Sequence, residues 1–169
     1  MDKLSLTRFD FIAKYLYIKH YNNEYKSDFY LELYKQHIEV FNKCWEYPGT
    51  KTSIEEFISS FNKLIESFKN HGFNGGFPIE VGENNVLKNG IHRLALSQYY
   101  KLKPSIKYLE NNGCGTYHYD FFKNRNNYWR RNNEKYNNLD QVYLDTMALE
   151  YTRLNKNIFP IVLYPKAQN

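Results

Sequence analysis

The sequence predicts an α+β fold, and three observations carry that prediction. Segments in the first third of the chain repeat apolar residues at helical spacing. The stretch after Gly72 breaks into short apolar runs punctuated by glycine and asparagine, as strands do. A final helical segment and a final apolar run close the chain.

The clearest element spans residues 53–70, where Ile54, Phe57, Ile58, Phe61, Leu64, Ile65 and Phe68 line one helical face. Ser53 and Glu56 form a capping box, and Gly72 is placed to end the helix with a left-handed residue. Two earlier helices are predicted. Residues 6–20 carry Phe9, Ile12, Ala13, Leu16 and Tyr17, and residues 27–44 carry Leu31, Tyr34, Ile38 and Phe41. Beyond Gly72, strands are expected at 77–81 and 86–88, joined by a tight connection. Gly90 then opens a helix over 91–101, and Pro104 leads into an extended 105–109. Residues 110–138 show no steady period and are expected to be irregular, with one strand at 116–121. A helix at 139–154 and a strand at 159–164 complete one domain over 1–169, with no dividing linker. Within it, 1–52 reads as a helical N-terminal extension, 53–109 as the core, and 110–169 as loop, helix and closing strand.

Hydrophobic residues at 42% and aromatics at 18% of 169 residues exclude a disordered chain. Cys44 and Cys114 stand far apart and belong to no metal-spaced cluster, so neither a disulfide scaffold nor a zinc site is expected. No apolar run approaches the length of about 20 residues that spans a bilayer, and the first residues lack a signal-peptide core, so a cytoplasmic location is the expectation. The formal charge of +5 suits a polyanionic partner. It is discounted here, because heavy use of Lys, Asn, Tyr and Ile with little Ala is what an AT-rich coding sequence produces.

The segment most suited to chemistry is Val86-Leu87-Lys88-Asn89-Gly90-Ile91-His92-Arg93-Leu94-Ala95, where a strand feeds a turn that starts a helix. The first N–H groups of a helix point outward without partners, and the helix dipole adds positive potential there. Gly90 permits close approach, while His92 and Arg93 add donors, so the residues fit a phosphate. A capped surface helix whose His92 and Arg93 face solvent is the competing account.

Pro78-Ile79-x-Val81 followed by Asn89-Gly90-Ile91-His92-Arg93-Leu94-Ala95 resembles the signature of the ParB/sulfiredoxin superfamily, over roughly residues 46–109. That resemblance implies a small mixed sheet and a Gly-x-His-Arg motif that binds nucleotide phosphates. Ile91 stands where sulfiredoxin has its catalytic cysteine, which excludes sulfinic-acid reduction. No helix-turn-helix pattern follows residue 109, which disfavours DNA partitioning. The motif is nearest that of the free serine kinase branch, although Asn89 replaces its acid. The whole chain is also similar to ParB-like proteins of bacterial surface-polysaccharide gene clusters, at Arg8, Asp10, Lys14, Tyr15, Glu32, Tyr34, His37, Glu46, Lys51, Gly90, His92 and Arg93.

The resemblance therefore implies an ATP-dependent, Mg²⁺-requiring kinase acting on a hydroxyl of a sugar-like precursor. Glu46 would be its general base and His92 a catalytic partner, with Lys51, Lys88, Asn89, Gly90, His92 and Arg93 holding the nucleotide. Arg8, Asp10, Lys14, His118, Arg125, Trp129 and Arg130 are the candidates for holding the acceptor. Plainer roles compete at several positions: Arg8 and Asp10 as a surface pair on the first helix, Lys51 as a solvated loop cation, and His37 as a partnered structural histidine. A non-enzymatic protein that binds nucleotide, or that binds nucleic acid through Arg125, Trp129, Arg130 and Arg131, is the alternative.

Overall fold

The computed structural model describes residues 8–25, 27–44, 49, 51–110, 117–127 and 135–155. These form six α-helices and a three-stranded mixed sheet. In chain order they are α1 (Asp10–Tyr21), α2 (Phe29–Asn42), α3 (Ile54–His71), β1 (Ile79–Val81), β2 (Leu87–Asn89), α4 (Ile91–Tyr100), β3 (Ile106–Tyr108), α5 (Tyr119–Lys123) and α6 (Gln141–Leu154). The expected strand at 159–164 lies outside the described residues, as do Glu46, Cys114, Trp129, Arg130 and Arg131. No helix among the described residues is long and apolar enough to cross a membrane.

Helix α1 is the centre of the packing. Phe11, Ile12, Ala13, Leu16, Tyr17 and Ile18 are buried on several of its faces, as befits a helix with neighbours all round, and it packs against α2, α4 and α6. Residues 10–21, read from the sequence as part of an extension, thus form the inner helix of the core. Its start is later than the spacing predicts. Arg8 and Phe9 are instead drawn to Tyr117, whose carbonyl accepts from the Phe9 N–H at 2.8 Å.

Helix α3 follows the sequence closely. The Ser53 Oγ accepts from the Glu56 N–H at 3.3 Å, and the Glu56 carboxylate accepts from the Ser53 N–H at 3.2 Å, the reciprocal pair of a capping box. Phe57, Phe61, Ile65 and Phe68 form its buried face, and Gly72 closes it at φ +72°.

In the sheet, of order β2-β1-β3, β1 lies antiparallel to β2 and parallel to β3. Glu80 pairs with Asn89 and Val81 with Leu87, with a shift in register between them. A 3₁₀ turn at Glu83–Asn85 makes the connection. Helix α4 then carries the chain from β2 across to β3, where Ile79 pairs with Ile106. Ile79, Val81 and Leu87 are buried against the helices.

Gly90 is the joint between β2 and α4, at φ +96°. A Cβ there would sit 3.1 Å from Nη2 of Arg93 and 3.3 Å from Cα of Ile79. The left-handed backbone alone costs a non-glycine residue about 1–2 kcal/mol, and the close contacts add to it. Gly90→Ala is therefore expected to lower stability by at least that amount in urea unfolding; an unchanged midpoint would show that the turn relaxes freely.

One expected element is corrected. The sequence predicts a strand over 116–121, but among the described residues of that run only Tyr117 makes a bridge, to Arg8, and Tyr119–Lys123 turn as a short helix. Alternating Tyr117, Tyr119 and Phe121 fit a strand, while Tyr119 and Phe122, three apart, equally fit a helix. Burial decides between them. Phe122 is fully buried, and the Phe9 ring packs against both Tyr119 and Phe122.

Candidate functional site

Positions 10 and 14 of α1 lie one turn apart and face α2, and positions 34 and 37 of α2 likewise lie one turn apart. This geometry gathers a buried polar cluster inside a largely apolar core. The Asp10 carboxylate, 0% exposed, accepts from Nε and Nη2 of Arg8 at 2.8 Å each and from Nζ of Lys14 at 2.9 Å. Nζ of Lys14 also approaches Nε2 of His37 at 3.5 Å. Arg8 lies 4.9 Å over the Tyr117 ring, and its Nη1 donates to the Leu87 carbonyl at 3.4 Å, tying the cluster to β2.

The surface pair expected of Arg8 and Asp10 is thus corrected to a buried one. Nor do Arg8, Asp10 and Lys14 present an open acceptor surface, since their polar atoms are turned toward one another. Burial by itself would raise the Asp10 pKa, but Lys14 and Arg8 outweigh it and hold the carboxyl far below the usual carboxylate range. Burial lowers the Lys14 pKa, with Asp10 opposing. Among the described residues, one carboxylate lies between two cations there.

His37, 1% exposed, is pushed well below its ordinary pKa by burial and by Lys14. An ammonium group only donates, so Nε2 of His37 accepts and Nδ1 carries the hydrogen. That Nδ1 has no hydrogen-bond partner among the described residues. His37 is thus a buried histidine whose partner is Lys14, on one ring nitrogen.

His92 sits in the first turn of α4. Its Nε2 lies 3.0 Å from the hydroxyl of the fully buried Tyr34, and the Phe61 ring meets the imidazole edge-on, centroids 4.5 Å apart. Burial, then Lys14 and Lys51, push its pKa well below the ordinary value, with Asp10 opposing. Lys51 therefore belongs to the site electrostatically, while its Nζ lies 4.9 Å over the Phe57 ring. Gly90 offers no side-chain cap to α4, so the first N–H groups of that helix face outward beside His92.

Arg93 makes contacts that its spacing in the sequence does not reveal. Its Nη1 donates to the carbonyls of Phe77 and Pro78, the latter at 3.0 Å, and its guanidinium folds against Gly90. It clamps the start of α4 onto the approach to β1. Asn89 is exposed and Lys88 half-buried at the end of β2. His118 is exposed at the start of α5. Arg125 is committed to architecture: Nε and Nη2 donate to the carbonyls of Val40 and Phe41 at the end of α2, and its guanidinium lies between the Phe121 and Tyr136 rings. Those contacts give it the role of a helix cap.

The structure thus brings Arg8, Asp10, Lys14, Lys51 and His92 together, and adds Tyr34, His37, Phe61 and Tyr117. Tyr34 and His37 were detectable as polar residues on the buried stripe of α2; Phe61 and Tyr117 look like any core aromatic in sequence. Among the described residues, no group of three or more His, Cys, Asp or Glu is placed to hold a metal ion. Asp10 is unsuited to one, since both its oxygens are already taken by cations. Comparison of the chain with family models, with curated proteins and with solved structures finds no match.

Proposed function

We propose that this chain binds the phosphates of a nucleotide at the Gly90 turn and transfers a phosphoryl group to a hydroxyl of a sugar-like acceptor, on a ParB/sulfiredoxin-like fold. The observation that carries the reading is the cluster behind α4: Arg8, Lys14 and Lys51 supply positive potential, Asp10 opposes it, and the open amino end of the helix lies in front. The direct donors in this reading are the first N–H groups of α4, the His92 ring and Lys51. Arg8 and Lys14 act through their field, and Arg93 through the shape of the turn.

In the transfer, the acceptor oxygen bonds to the γ-phosphorus as the bond to the β,γ-bridging oxygen breaks, and the hydroxyl proton passes to a base. Resemblance assigns that base to Glu46, which lies outside the described residues. The described residues do not fit Mg²⁺ as a protein-held ion, so no step here runs through one.

Titration calorimetry with ATP, CTP and pyrophosphate tests the binding. At least one is expected to bind, with Lys51→Ala and His92→Ala each weakening it about tenfold, the loss of one hydrogen bond to a charged group. Binding of none of the three to the folded protein, or affinities untouched by both substitutions, would defeat the reading. Salt-steep binding of single-stranded nucleic acid in their place would favour the non-enzymatic alternative.

A further inference from the structure

We propose that β3 is a docking edge on which an extended, acidic peptide of a partner protein adds as a further strand. The site stands apart from the phosphate reading, since β2, which leads to the Gly90 turn, is the opposite margin of the sheet. Ile106 and Tyr108 pair with Ile79 and Val81, so they share the face of the sheet that packs on the helices. Ile79 and Val81 have no exposed surface, whereas Ile106 is 36% and Tyr108 70% exposed. The helical layer therefore covers β1 and stops short of β3, leaving two apolar side chains open at the margin.

The main chain presents matching groups. The Ile79 N–H donates to the Ser105 carbonyl and the Leu109 N–H to the Val81 carbonyl, each at 2.8 Å. Ladder bonds alternate along a strand, so Ile106 and Tyr108 turn their own N–H and C=O groups away from β1, toward the position an added strand takes. Charge chooses the occupant. Lys101, Lys103 and Lys107 are exposed, and no carboxylate interrupts residues 101–109. Glu80 faces Lys107 from β1, and an acidic residue on an added strand would face it from the other side. The same lysine opposes a second copy, because two β3 strands paired antiparallel about their centres would set each Lys107 against the other. A segment alternating apolar and acidic residues meets both demands: its apolar side chains reach Ile106 and Tyr108, and its carboxylates lie beside Lys107 on the other face.

The probe is a capped peptide alternating valine and glutamate, with its valine–lysine counterpart as control, titrated into the ¹⁵N-labelled full chain. The glutamate peptide is expected to shift the amide signals of residues 105–109 and to slow solvent exchange at Ile106 and Tyr108. Lys107→Gln, which sets no like charge against Glu80, is expected to weaken that binding about fivefold, the upper worth of one cross-strand charge pair. Lys107→Glu is expected to reverse the preference between the two peptides.

No shift at residues 105–109 with about 1 mM glutamate peptide overturns the proposal. So do equal affinities for the two peptides, or binding untouched by both substitutions. Ile106 and Tyr108 amides already protected in the free protein overturn it too, since the edge would then be taken. Sedimentation with phosphatidylglycerol vesicles that Lys107→Glu abolishes, without peptide binding, overturns it in favour of a membrane surface.

Discussion

Asp10→Asn is expected to destabilise the protein by roughly 3–5 kcal/mol, the usual cost of removing one partner from a buried ion pair. The carboxylate accepts three short hydrogen bonds from two cations and has no exposed surface. An amide keeps the shape, but its one oxygen can serve only part of that set, and its NH₂ group meets donors. Arg8 and Lys14 would then lie together in the core without the Asp10 carboxylate between them. Lys14 can relieve part of the strain by releasing its proton, a change that burial already favours. The loss should therefore shrink as pH rises. Adding Lys14→Met to Asp10→Asn removes the uncompensated cation and is expected to recover stability relative to the single variant. Urea midpoints at constant slope measure both effects. A loss below about 1 kcal/mol for Asp10→Asn would mean that water reaches the cluster and that the site is far less polarised than its geometry implies.

The contrast between Ser53 and Asp10 marks what can be read from this chain alone. The capping box of α3 is a local pattern, in which two residues three apart satisfy each other's backbone, and it occurs as the spacing predicts. The turn at Gly90 is equally local. The cluster is not, because Arg8, Lys14, His37 and His92 lie on segments that meet only after the helices pack. At 10 and 14 the sequence shows an ordinary i, i+4 pair of the kind that decorates helix surfaces. That α1 is the inner helix, and therefore that this pair is buried, depends on α2, α4 and α6 covering it. Arg125 and Arg93 show the same limit from the other side. Guanidinium groups near the candidate site read as ligand donors, and tertiary packing gives each of them main-chain carbonyls that the sequence does not foretell. Tyr119 and Phe122 failed for a simpler reason, since a short apolar run fits both periods until burial chooses.

Acidification is expected to destabilise the protein steeply, beginning below pH 6.5. His37 and His92 both have folded-state pKa values well below 6.5, because burial and Lys14 oppose their charging, joined at His92 by Lys51. As pH falls through 6.5 the unfolded chain takes up a proton at each position while the folded chain does not. Mass action then pulls toward the unfolded state. Each such histidine costs about 1.4 kcal/mol per pH unit, so the pair costs about 2.7 kcal/mol per unit until the folded protein begins to bind protons itself. Asp10 acts in the same direction but later, because its unfolded carboxyl titrates only near pH 4. The slope between pH 6.5 and 5 therefore belongs to the two histidines, and His37→Leu and His92→Asn should each remove about half of it. Denaturation curves collected across that range decide the matter. Stability that stays flat from pH 7 to 5, or a slope that survives both substitutions, would show that the imidazoles charge freely in the folded state. The amino end of α4 would then carry a cationic His92 at mildly acid pH, and anion affinity there would rise on acidification instead of holding level.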